Sequence, residues 1–82
     1  MAEQVIYHVV RNTQGEWNVV QASLGEVISS HRSRIEAILR GQNLAQGHEY
    51  SLLVVHDRDG HMDRQYTYGR HPRQTPQANP SR

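Results

Sequence analysis

The chain has no cysteine, no lysine and no phenylalanine. Without cysteine there is no disulfide, no thiolate metal site and no cysteine nucleophile. The absence also fits a reducing compartment. An 82-residue domain of this kind buries only about 60% of its unfolded surface. Its stability must come from its core or from a partner subunit. Without lysine, all nine basic side chains are arginine, whose planar fork binds phosphate and carboxylate and stacks on rings. Eight acidic residues leave a formal net charge of +1, which counts against strong electrostatic capture of a nucleic acid. Without phenylalanine, Trp17 and four tyrosines supply all the aromatic packing. No apolar run approaches the ~20 residues of a membrane helix. Met1-Ala2-Glu3-Gln4 lacks the basic and apolar regions of a signal peptide. The expectation is a soluble, cytoplasmic protein that makes no membrane contact.

The residues that are present alternate between strand-like and helix-like patterns. Val5 to Arg11 is apolar on both parities, as a strand buried on two faces would be. Asn12-Thr13-Gln14-Gly15-Glu16 reads as a hairpin connection, and Trp17 to Ala22 as the return strand. Glu26 to His31 is a shorter, more polar strand that belongs near an edge. Ser33-Arg34-Ile35-Glu36 is a capping box, so a helix starts there. It ends near Gln46, with Gly47 as a left-handed stop. Ala37, Ile38, Gly41, Leu44 and Ala45 form its buried stripe. Gly41 weakens that helix, and close approach to a sheet would compensate. Tyr50 to His56 is the most apolar strand. His61 to Tyr68 alternates Met62, Arg64, Tyr66 and Tyr68 against Asp63, Gln65 and Thr67, predicting one covered and one wet face. Beyond Gly69 the chain is polar and carries all three prolines, Pro72, Pro76 and Pro80. It reads as a disordered tail.

Strands, then a helix, then a hairpin predict a single α+β domain over residues 4–69, with residues 70–82 as the tail. The order is β-β-β-α-β-β, with a largely antiparallel sheet and one helix packed on one face.

Several short motifs occur in this order: Tyr7-His8-Val9-Val10, Gly15-Glu16-Trp17, Glu36-Ala37-Ile38, Val54-Val55-His56-Asp57-Arg58-Asp59-Gly60 and Tyr68-Gly69. Together they resemble the small bacterial domain-of-unknown-function family 2188, over roughly residues 5 to 69. The resemblance implies no activity, cofactor or catalytic residue. By analogy with other small bacterial domains that pair or duplicate, it implies the architecture and a dimer.

The densest polar group is His56, Asp57, Asp59, Gly60 and His61. A calcium loop counted from Asp57 would need a later Gly and a Glu where Tyr68 stands. A zinc site lacks helical His spacing and cysteine support. Asp57, Asp59 and Gly60 read instead as a structural turn in which Gly60 takes a positive φ. His8 and His56 would become neighbours if the first and fourth strands pair. No nucleophile elbow and no phosphate loop occurs. The chain is therefore expected to be no enzyme, and to use no cofactor, no metal and no identifiable small-molecule substrate.

Two binding surfaces remain. Trp17, Arg64, Tyr66, Tyr68 and Arg70 are candidate nucleic-acid or partner contacts, with rings and guanidinium groups as in single-strand binders. Ile35 and Leu39, off the buried stripe of the helix, are candidate dimer contacts. A helix covers one sheet face only, yet the first and fourth strands are apolar on both. The expected function is a non-enzymatic bacterial binding module acting as a homodimer, with nucleic-acid association as the alternative.

Overall fold

The computed structural model describes residues 4–69. Arg70 and the expected tail lie outside the described residues. Five strands and a helix follow the expected order: β1 (Val5–Arg11), β2 (Trp17–Gln21), β3 (Glu26–His31), α1 (Arg34–Gln46), β4 (Tyr50–His56) and β5 (Met62–Gly69). They form one sheet in the order β3-β2-β1-β4-β5. β1 pairs with β4 in parallel, and every other pairing is antiparallel. The parallel pair follows from connectivity. α1 carries the chain from the β3 edge across β2 and β1, and only such a crossover lets two central strands run the same way.

The helix begins as its sequence requires. Ser33 has extended backbone angles, and its hydroxyl accepts from the Glu36 amide at 3.1 Å. That is the hydroxyl half of the capping box. Its end corrects one expectation. Gly47 sits at φ −79° and is not left-handed. Its amide donates to the Leu44 carbonyl at 3.1 Å and the next amide, of His48, to the Ala45 carbonyl at 3.2 Å, so two of the final helical acceptors are satisfied by a tight turn without positive φ. Ala37, Gly41 and Ala45 are buried against the sheet. A β-carbon added to Gly41 would meet Leu53 Cδ1 at 2.7 Å. The helix comes too close for any side chain at that position.

The sheet face beneath α1 holds the core: Tyr7, Val9, Trp17, Val19, Leu53 and Val55, with Ala37 and Ala45 above them. Buried Ser51 donates its hydroxyl to the Ala45 carbonyl, which satisfies the polar atom.

Both edge strands carry a bulge. In β3 an extra residue, Ile28, lies between Ser29, opposite Val19, and Val27, opposite Val20. In β5 the extra residue is Asp63, since Val55 faces Arg64 while His56 faces Met62. This corrects the simple alternation expected for β5. A bulge inserts one residue and reverses side-chain parity beyond it. Met62 therefore leaves the face shared by Tyr66 and Tyr68, joins His56 on the opposite face and stands 61% exposed. Asp63 pairs instead with Arg34 at the start of α1.

The two hairpin turns at one end of the sheet are built alike. Asn12 Oδ1 accepts from the amides of Gln14 and Glu16, and Gly15 has φ +84°. Asp57 Oδ1 accepts from the amides of Asp59 and His61, and Gly60 has φ +89°. In each, a side chain at the first position ties down the loop and a glycine at the fourth takes the left-handed angle.

Candidate functional site

Among the described residues no element covers the sheet face opposite α1. Ladder partners share a face, so the register defines its rows. Ile6 faces Leu52, Val54 and Val20 flank His8, and Val20 faces Val27. Val10 stands beside Asn18, and Met62 beside His56. Ile6, Val10, Val20, Leu52 and Val54 are thus contiguous across β2, β1 and β4, with Gln65 and Thr67 beyond them on β5. No described element lies over them. Val54 keeps only 7% of its surface even so, because its neighbours wall it in.

One polar pair sits within this apolar field. His8 Nδ1 lies 3.0 Å from His56 Nε2, with ring centroids 5.2 Å apart. The β1–β4 pairing brings them together diagonally, as the sequence suggested for paired strands. Nδ1 of His56 is 3.3 Å from the Gly60 carbonyl, which only accepts, so this nitrogen carries the proton. In neutral His56 the Nε2 lone pair is then free to accept from His8 Nδ1–H. Burial pushes the His8 pKa below the ordinary imidazole value, and the neighbouring His56 pushes it the same way.

The other expected site residues are dispersed. Trp17 is 8% exposed, packed in the core under the Arg34 guanidinium, 5.5 Å from the ring centroid. It offers no open face for stacking. Two strands, β1 and β4, separate it from Tyr66 and Tyr68, which are half-buried beside the core. Arg64 is exposed and donates to the Tyr66 hydroxyl at 3.3 Å. Burial raises the Tyr68 pKa. These residues share the helix-side face without forming one platform. Ile35 and Leu39 are 67% and 59% exposed on the outer side of α1.

Asp57, Asp59 and His61 bring ligand-type atoms within 4.8 Å of one another. The turn accounts for this clustering. Asp57 Oδ1 is engaged by two backbone amides, which lower its pKa, that of His61 foremost. Sequence reasoning missed the pairing of Ser29 Oγ with His31 Nε2 at 2.8 Å on β3. Its signal was the Ser-x-His spacing, which puts both side chains on one strand face. Among the described residues no carboxylate contacts His31, so the pair lacks the third group that would orient a catalytic base. Sequence reasoning also missed Arg34, which only the β5 bulge brings to Asp63.

Among the described residues no helix is long and apolar enough to cross a membrane. The sequence profile described as an uncharacterized protein conserved in bacteria (DUF2188) matches residues 7–68. No curated protein and no solved structure matches the chain.

Proposed function

We propose that this chain, which belongs to the bacterial family DUF2188, is a non-enzymatic binding module that works as a homodimer through the sheet face opposite α1. The observation that carries this reading is the contiguous apolar field of Ile6, Val10, Val20, Leu52 and Val54, with no described element over it. Two copies stacked face to face at about 10 Å would bury it on both sides. A two-fold axis makes such a surface complementary to itself.

Two alternative contacts are weaker. The edge strands each carry a bulge, a feature that discourages edge-to-edge pairing. The outer side of α1 offers Ile35 and Leu39, but charged or polar Glu36, Arg40 and Asn43 lie among them. Nucleic-acid association has lost its strongest ring, since Trp17 is in the core.

Light scattering on a size-exclusion column tests the reading. The expected particle has twice the 9.4 kDa chain mass. Leu52→Glu should give a monomer with an unchanged far-UV circular dichroism spectrum. Ile35→Ser with Leu39→Ser should leave the dimer intact. A 9.4 kDa particle at every concentration refutes the homodimer, and a dimer lost only in the helix variant moves the interface to α1.

A further inference from the structure

We infer that the His8–His56 pair makes self-association through the open sheet face pH-dependent, so that the two copies separate in mild acid. This rests on the face being the dimer surface. The pair is central to that face. His8 is flanked by Val20 and Val54, and one row along the strands bring Ile6 and Leu52 on one side and Val10 on the other. Two copies stacked on this field would draw both imidazole pairs out of water.

The neutral pair suits that burial. Its facing nitrogens satisfy each other at 3.0 Å, and the second nitrogen of His56 points at the Gly60 carbonyl. With one added proton, on either ring, a single N–H still bridges Nδ1 of His8 and Nε2 of His56. The hydrogen bond survives, but the face now carries a full charge. A second proton would set two N–H groups against each other. An unpaired charge in an apolar interface is strongly disfavoured. The dimer therefore excludes protons that the free chain accepts.

Among the described residues the surrounding elements supply no counter-charge. On this face β2 presents Asn18 and Val20, β3 presents Val27 and Ser30, and β5 presents Met62, Gln65 and Thr67. Tyr50 is at the far end of β4, three residue pairs from His56 along the strand's alternate positions. The charged turn residues Asp57, Arg58, Asp59 and His61 lie beyond His56, and the Asp57 carboxylate is committed to amides and to His61. His61 is 3.9 Å from that carboxylate and exposed, away from the apolar field.

Mass action sets the size of the effect. If each copy takes up one proton on separating, the dimer Kd climbs by up to about 100-fold per pH unit below the monomer's imidazole pKa. We expect a rise of at least about tenfold between pH 7.5 and the lowest pH at which the circular dichroism spectrum is unchanged. Sedimentation equilibrium on the full chain reads the Kd at both. The His8→Gln, His56→Gln double variant should dimerise with a Kd that changes less than about twofold over the same range. A wild-type dimer equally tight at both pH values overturns the switch and leaves the dimer standing. A monomer at both refutes the dimer itself. Acid dissociation that persists in the double variant assigns the titration to another group and overturns the switch. The His8 pKa, read by NMR, gives a second measure that needs no variant. It should be lower in concentrated than in dilute samples, and an equal value at both overturns the inference.

Discussion

Gly41 stands where two effects of opposite sign meet, and replacing it with alanine measures which one governs the helix–sheet contact. Helix propensity alone favours Gly41→Ala by about 1 kcal/mol. The structure opposes it. The new β-carbon would lie 2.7 Å from Leu53 Cδ1 and 3.5 Å from Val9 Cγ2, where carbon atoms prefer about 3.5–4.0 Å. Leu53 is fully buried among Tyr7, Val9, Val55 and Ala45, so its methyl group has no solvent to retreat into. Forcing one extra carbon into a packed core costs about 1–3 kcal/mol. The balance is a net loss of about 1 kcal/mol, or roughly 4–8 °C in Tm for a domain of this size. Urea unfolding followed by circular dichroism reads it, with protein concentration held constant because association shifts apparent stability. Leu53→Val provides the cross-check. Alone it should cost about 1 kcal/mol through a lost methylene and the space it leaves. In that background Gly41→Ala should become neutral or stabilising, a coupling of at least about 1 kcal/mol. The reasoning is refuted if Gly41→Ala stabilises the wild type by the propensity value and the two changes simply add.

Two further outcomes follow from local structure. Ser33→Ala removes the acceptor for the Glu36 amide and should cost about 1 kcal/mol, read as a lower Tm with an unchanged helix content after refolding. The Asp57 carboxylate is held below its ordinary pKa by the His61 and Asp59 amides, so its contribution is present above the ordinary carboxylate value and lost as pH falls through the lowered one. Urea midpoints measured from pH 5 to pH 2 should therefore fall more steeply for the wild type than for Asp57→Asn, and parallel curves would contradict this assignment.

Much of the fold was legible because its signals are local. Val5–Arg11 and Tyr50–His56 read as strands buried on two faces from apolar residues on both parities, and such strands belong inside a sheet. Ser33 read as a cap because a hydroxyl three residues before Glu36 reaches its amide. Asp57–Gly60 read as a turn because aspartate accepts from nearby amides and glycine alone takes positive φ at little cost. The likeness between that turn and Asn12–Gly15 was also present in the sequence, in a shared first-and-fourth-position pattern, and was overlooked because the residues differ. The candidate site was less legible. Trp17 reads equally well as an exposed ring or a core residue, and the choice depends on which face α1 covers. The position of Met62 was unreadable from alternation, because a bulge at Asp63 has no fixed sequence code and one inserted residue exchanges the two faces.

By itself the sequence determined the elements and their order, with ends within about a residue of those observed, since capping, turn chemistry and hydrophobic period act over a few residues. It also determined that one face would remain apolar after a single helix had packed. Only the tertiary structure decided the parallel pairing of β1 and β4, the bulges that send Asp63 to Arg34 and Met62 to the open face, and the meeting of His8 with His56. His8 and His56 are 48 residues apart and Arg34 and Asp63 are 29 apart, so each meeting depends on register between separate segments. Register is settled by the packing of the whole sheet under α1, which no short stretch of sequence contains.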